Sequence, residues 1–434
     1  MRRRVVITGL GVVCPLGNDV PTYWANLLAG KSGVRWIRSF STEKLRSDIA
    51  ASVEDFDATR LMSAKEADIY GRVTHFSLAA AVEAITHAGV GDVRVGVEAR
   101  PPNPAAPSAP EPGSGSVDRT RVGCLMSTGM GSVDVFEEQT ARAAERGPRA
   151  VSPYFIPGVM PNGSAALIAM RYGFMGPSFS LASACATGTH SIAMSALLIE
   201  AGEAEVMLAG GAEAATRPNT VASFGNARAL AKAHGGDPTK ASRPFDKGRT
   251  GFVMGEGAGA LVLEEEQHAL ARGAKPLAYV AGFGMTTDAE HLTRPHSEGL
   301  GLELALRRAL QRAGISPEDV GYINPHATST MQGDVAEYRA LRKVFGERLA
   351  TIPMSATKSM IGHLLGGAGA VETIAAVCSL RDQMLHPTIN IDAVDPEFAL
   401  DLVRERRRVD IRYAAKCSAG FGGHNCALVL ERAG

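Results

Sequence analysis

Gly255-Glu-Gly-Ala-Gly-Ala-Leu-Val-Leu-Glu264 and Gly422-Gly-His-Asn-Cys-Ala-Leu-Val-Leu-Glu431 are the two stretches on which the fold turns. Each is a glycine-rich turn feeding an apolar run with the same Ala-Leu-Val-Leu-Glu ending, the pattern of a buried strand bounded by a turn. One closes the first part of the 434-residue chain and the other closes the second. The openings agree too: Val5-Val-Ile-Thr-Gly-Leu-Gly and Leu277-Ala-Tyr-Val-Ala-Gly-Phe-Gly are both strand-like and both run into glycines. This repetition predicts two related α/β halves, residues 1–275 and 276–434.

Working outward, the 48 glycines exceed the usual share of about 7% and imply tight turns and close backbone approaches. Lys plus Arg (45) equals Asp plus Glu (45), which argues against nucleic-acid or membrane-surface binding through bulk charge. The early apolar run Val5 to Val13 is too short for a membrane span, and no secretory cleavage site follows it. Six cysteines lie far apart without C-x-x-C spacing, which argues against a zinc ribbon and a disulfide framework and predicts a reducing, cytoplasmic setting. Gly9-x-Gly11 is not a dinucleotide fingerprint, because Cys14-Pro15 stands where the third glycine should open a helix. Residues 73–88, closed by Gly89, predict a packed Ala-rich helix, and the Pro-rich stretch near 99–116 predicts a solvated loop inserted in the first half.

Residues 177–202 read as a strand, a tight small-residue turn and a helix of about four turns, with Cys185 at the helix start. Free N–H groups and the helix dipole there favour a thiolate and can hold an oxyanion beside it, so Cys185 is predicted to be a low-pKa nucleophile. The other five cysteines are read as inert core. Two histidines occupy non-random settings: His326 ends a short strand ahead of a hydroxyl cluster, and His363 lies in a glycine-rich segment with Lys358 upstream and Glu372 downstream. His424, inside a glycine turn, stays undecided, and the remaining histidines, His296 among them, are read as solvated or core residues. A zinc site on Cys185, His326 and His363 lacks the expected ligand spacings, and no G-x-S-x-G elbow supports serine-hydrolase chemistry.

Ser-Ala-Cys185-Ala-Thr-Gly, Asn324-Pro-His326-Ala-Thr-Ser-Thr330, Lys358-Ser-Met-Ile-Gly-His363 and Gly420-Phe-Gly-Gly-His-Asn425 stand in the order found in β-ketoacyl-acyl-carrier-protein synthases of the KAS I/KAS II type. The chain resembles that family from Val5 to Leu430, apart from the Pro-rich insertion. The resemblance implies a thiolase-like fold, two pseudo-symmetric halves in a layered α-β-α-β-α arrangement, and a homodimer. It implies that Cys185 accepts the acyl chain, with its own N–H and that of Phe421 as oxyanion hole. His326 and His363 would hold the malonyl thioester oxygen, Lys358 and Glu372 would form an ion pair ordering His363, and Thr328 and Thr330 would hold the phosphopantetheine arm. Met130, Phe224 and Phe421 match the acyl pocket, and Arg228 and Lys65 match carrier docking. No redox or metal cofactor is implied for catalysis. A structural monovalent cation sits near Asn324 and Glu372 in some members, but Cys417-Ser418-Ala419 removes an amide and an aromatic usual there, which weakens that expectation.

The activity this implies is decarboxylative condensation of an acyl chain with malonyl-acyl carrier protein in fatty-acid elongation. The same chemistry in a polyketide or other secondary-metabolite pathway is the alternative. A non-catalytic heterodimer partner is a further one, and Cys185, both histidines and Lys358 count against it.

Overall fold

The computed structural model describes residues 3–91 and 117–434, so the Pro-rich stretch lies outside the described residues. Val5–Val13 forms β1, buried along its whole length, as an apolar run without polar alternation must be. The other strands of the main sheet are β2 (Val122–Thr128), β3 (Val206–Glu213), β4 (Gly257–Glu265), β5 (Ala278–Thr287), β6 (Val320–Asn324), β7 (Pro353–Met354), β8 (Asp401–Leu402), β9 (Tyr413–Gly420) and β10 (His424–Arg432). They lie in the order β8-β7-β6-β9-β10-β5-β1-β4-β3-β2.

That order has a seam. β1 pairs with β4 along nearly its full length but meets β5 only at Val6↔Tyr279 and Ile7↔Ala278. On one side, β1-β4 and β4-β3 are antiparallel and β3-β2 is parallel. On the other, β5-β10 and β10-β9 are antiparallel and β9-β6 is parallel. The two halves therefore repeat one topology, and the echoed Ala-Leu-Val-Leu-Glu segments are the equivalent strands β4 and β10.

Six helices complete the layers. α1 (Arg72–Ala88), ended by Gly89 at φ 65° as its sequence predicts, packs with α2 (Gly163–Tyr172) on the outer face of the first half-sheet. α4 (Leu300–Ala313) and α5 (Met331–Phe345) cover the outer face of the second. Between the half-sheets lie α3 (Thr187–Glu200) and α6 (Ala368–Asp382), sharing one core cluster with strands of both halves. α6 is buried from Ala368 to Leu380, and a helix enclosed on all sides needs the small, mostly apolar residues found there. The result is the layered α-β-α-β-α arrangement. Among the described residues no helix is long and apolar enough to cross a membrane.

Candidate active site

The strand expected just before Cys185 is reduced to a single bridge, Cys124↔Ser178. Hydroxyls replace the ladder: Leu181 N–H donates to Ser127 Oγ at 3.3 Å and Ser183 N–H to Thr187 Oγ1 at 2.9 Å. Ala184, at φ 49°, then turns the chain into a 3-10 segment, Ala184–Ala186, that leads into α3. A left-handed alanine is strained, and here it fixes the half-buried Cys185 side chain at the head of the central helix. The N–H groups of Phe421 and of Cys185 itself reach the sulfur. Gly420 allows this approach, because a Cβ there would lie 2.7 Å from Ser183 O and 3.0 Å from Cys185 N.

Burial pushes the Cys185 thiol up to about 12, against the opposing pull of Lys358 and the two N–H groups. The expectation of a resting thiolate is thereby corrected. Desolvation by the whole pocket outweighs the helix-terminal field, so Cys185 rests as a thiol.

The second half delivers the histidines. His326 follows β6, and its N–H and that of Ala327 donate to the Glu337 carboxylate on α5 at 2.6 and 2.7 Å. The Lys358 ammonium lies 3.4 Å from His326 Nδ1 and also donates to the His326 carbonyl. His363 follows the helical turn Lys358–Ile361; its N–H donates to Val253 O at 2.7 Å, and its Nδ1 accepts from Leu365 N–H at 3.3 Å. With Nδ1 acting as acceptor in both rings, each neutral imidazole carries its proton on Nε2. His363 Nε2 is buried and has no partner. The two rings meet edge to face, 5.5 Å between centroids. Both are held well below the ordinary histidine range, first by burial and then by the charge of Lys358, with His363 and Lys416 adding to it at His326 and Lys416 at His363.

Lys358 thus serves the neighbour of the histidine assigned to it from the sequence. It does pair with Glu372, at 2.5 Å, but its other contacts are to His326, while His363 is ordered by backbone groups. Glu372 also meets Lys416 of β9, 2.8 Å from its other oxygen. Asn324, at the end of β6, donates from Nδ2 to Thr357 Oγ1 at 2.9 Å.

Cys185, His326 and His363 open onto one cavity of about 440 Å³, also lined by Phe224, Phe252, Arg228, Ala419 and Phe421. Phe224 stacks edge-on to Phe252 and tilts toward Phe421, which is itself 38% exposed at the mouth. Thr328 and Thr330 line the same cavity with their hydroxyls 3.0 Å apart. His296, a quarter exposed, lines it too. Met130 does not: it is exposed, held by its N–H to Glu213 at 3.3 Å, and lies outside the cavity lining. Lys65 sits on a short surface helix, Ala64–Ile69, also outside the lining. The other five cysteines are buried and unpaired.

Three residues escaped sequence reasoning. Glu213 ends β3 and accepts from Thr128 Oγ1, Gly129 N–H and Gly366 N–H at 2.7, 3.0 and 3.1 Å, clipping a loop of each half together. Glu337 anchors the His326 turn. Lys416 is a fully buried charge in a strand of small apolar residues, and that contrast was the one signal the sequence offered.

Comparison with known proteins agrees with this geometry. The family model "Beta-ketoacyl synthase, N-terminal domain" matches residues 2–269 and "Beta-ketoacyl synthase, C-terminal domain" matches residues 277–392. The chain is 42% identical to a 3-oxoacyl-acyl-carrier-protein synthase 2 of Vibrio harveyi, over 99% of both chains. It is 40% identical to the chloroplastic 3-oxoacyl-acyl-carrier-protein synthase I of Arabidopsis thaliana, over 99% of this chain and 87% of that one. Among solved structures, a β-ketoacyl synthase from Burkholderia phymatum superposes with a TM-score of 0.87 at 33% identity, covering all of both chains. A type II PKS ketosynthase, bound to a hexaketide and in complex with its acyl-carrier protein, superposes with a TM-score of 0.88 at 31% identity, again over both whole chains.

Proposed function

Since the chain belongs to the β-ketoacyl synthase family and is a condensing acyltransferase of the 3-oxoacyl-acyl-carrier-protein synthase type, we propose that Cys185, His326 and His363 carry its two half-reactions in fatty-acid elongation. In the first, the Cys185 sulfur attacks the thioester of an acyl-carrier protein. The sulfur–carbonyl bond to the phosphopantetheine breaks as the bond to Cys185 forms, and the thiol proton ends on the departing carrier thiol. The N–H groups of Cys185 and Phe421 hold the oxyanion. In the second, malonyl-acyl carrier protein loses CO₂, and the electron pair left behind becomes an enolate whose oxygen accepts from His326 and His363 Nε2–H. The enolate carbon attacks the acyl carbonyl, the Cys185 thiolate leaves, and it recovers a proton from solvent. Neutral imidazoles suit this step: they donate to the developing oxyanion without requiring a buried charge when the site is empty.

The observation that carries this reading is the convergence on one cavity of a thiol facing two backbone N–H groups and two histidines whose Nδ1 atoms are already occupied. Mass spectrometry of the protein after incubation with acyl-acyl carrier protein tests it. Acylation confined to Cys185 and chased by malonyl-acyl carrier protein into 3-oxoacyl product is expected; an acyl group on any other residue, or one that malonyl-acyl carrier protein cannot remove, refutes it.

The same reading includes an acyl carrier protein as partner, the phosphopantetheine arm against Thr328 and Thr330, and Arg228 at the cavity mouth as a docking charge. It needs no catalytic metal or redox group, because loss of CO₂ drives the condensation. A homodimer fits the exposed apolar side chains of Met130, Phe136, Tyr154, Ile156 and Met160, a surface that a second copy would cover. Six unpaired thiols suit a reducing cytoplasm. The secondary-metabolite alternative is favoured by Ala419, which lines the cavity without adding bulk to the Phe421 loop; activity across a panel of acyl-carrier proteins separates the two pathways.

A further inference from the structure

We propose that Lys416 is a tethered cation: its ammonium takes, by covalent attachment to β9, the place that a bound monovalent ion would occupy beside Glu372, and the protein therefore needs no such ion. The argument begins from the donor count. A lysine ammonium has three N–H donors and no acceptor, and Lys416 has two oxygens that accept from it and a carboxylate oxygen in ion-pair contact. Its Nζ lies 2.8 Å from Glu372 Oε2 and 3.1 Å from Ser418 Oγ, and it donates also to the Cys417 carbonyl. A carboxylate, a hydroxyl and a carbonyl are the oxygen donors that hard cations bind. Here a single nitrogen hydrogen-bonds the hydroxyl and the carbonyl and stands against the carboxylate as an ion pair.

Charge points the same way. Lys358 and Lys416 are 1% and 0% exposed and both sit on the Glu372 carboxylate, with the buried Glu337 carboxylate also in their field, so two ammonium groups already balance two carboxylates and a further cation would leave the cluster in positive excess. A third positive charge would meet both at short range in a poorly solvated interior. The surroundings complete the picture. Lys416 stands in register with Asn324 on the neighbouring β6. The cluster lies directly behind His326 through Lys358, so a fixed charge at Lys416 holds the support of that histidine whatever the salt outside. Lys416 is a positioning residue on this view.

The inference concerns the site to which the proposed function is assigned, but its first readout, thermal stability, does not depend on which reaction that site performs. Purified protein and its Lys416→Met variant are compared in potassium chloride, sodium chloride and tetramethylammonium chloride at equal ionic strength; tetramethylammonium is too large for a small oxygen cage. The wild-type Tm is expected to be the same in all three salts. The variant should melt lower by about 5 °C in tetramethylammonium, and potassium or sodium should restore most of that loss together with its condensation rate. A wild-type Tm that rises with potassium overturns the proposal, and so does a variant as stable as wild type in tetramethylammonium. Loss that neither ion restores reduces Lys416 to an ion-pair partner and also overturns it. Elemental analysis of wild-type protein equilibrated with rubidium needs no variant: no retained rubidium is expected, and a stoichiometric amount would refute the idea directly.

Discussion

The turn ahead of α3 and the turn ahead of α6 are built alike and used differently. Each is a three-residue 3-10 segment, Ala184–Ala186 and Leu365–Gly367, that runs into one of the two central helices. Each begins on a non-glycine residue at φ 49°. The second residue is Cys185 in one and Gly366 in the other. In the first turn a side chain faces the cavity and receives two N–H groups; in the second no side chain fits, since a Cβ on Gly366 would lie 2.6 Å from Gly129 N and 2.8 Å from Glu213 Oε2. The Gly366 N–H instead binds Glu213 and ties the second half to the loop that holds Met130. A repeated fold thus supplies the same strained, helix-heading turn twice. One copy carries the thiol proposed as nucleophile and the other is a clamp, with His363 placed three residues before Gly366.

The comparison breaks most completely at the proposed nucleophile. Cys185→Ala should lower condensation by about 10⁴-fold or more while leaving the Tm close to wild type, because the turn keeps its backbone and loses only sulfur. Product formation and melting curves measured on one preparation check this, and retained condensation would mean that the turn is not the reactive one.

Next come His363 and the lysine behind His326, which should separate from the thiol. His363→Ala is expected to cut CO₂ release from malonyl-acyl carrier protein by roughly 10²–10⁴-fold while Cys185 is still acylated. Lys358→Met should act chiefly through His326, to which its ammonium reaches, and weaken decarboxylation by a smaller factor, about 10²-fold. Radiolabelled CO₂ release and intact-protein mass give the two half-reactions independently; equal damage to both steps in both variants would erase the division of labour between the turns.

Gly366→Ala tests the clamp. With a backbone nitrogen and a buried carboxylate both too close to a new Cβ, the variant should lose about 1–3 kcal/mol of stability, read as a lowered denaturant midpoint. A neutral result would show that the second turn is looser than its contacts indicate.

The smallest effect is kinetic and concerns the resting thiol. With Cys185 pushed up to about 12, its alkylation rate by iodoacetamide should keep rising about tenfold per pH unit from pH 7 to 9. The sign follows from the raised pKa: the reactive thiolate is a minor form throughout that range and grows with each unit. A plateau already reached near pH 7 would restore the helix-terminal field as the dominant influence.

How much of this was written in the sequence depends on distance along the chain. Cys185, His326 and His363 were legible because each sits in a short run of small or glycine residues whose chemistry is local, and the two-half architecture was legible because β4 and β10 repeat five residues in a row. Glu213 and Glu337 were not, since each looks like one more carboxylate until folding brings backbone N–H groups to it from 10 to 153 residues away. The sequence by itself determined the fold class and singled out the thiol and the histidine pair that the fold brings to one cavity, because turns, strands and side-chain chemistry are set by near neighbours. Only the tertiary structure decided that Lys358 serves His326, that Lys416 shares Glu372 with it, and that the thiol rests protonated. Desolvation and charge pairing sum over everything packed around a group, and those surroundings come from both halves of the chain at once.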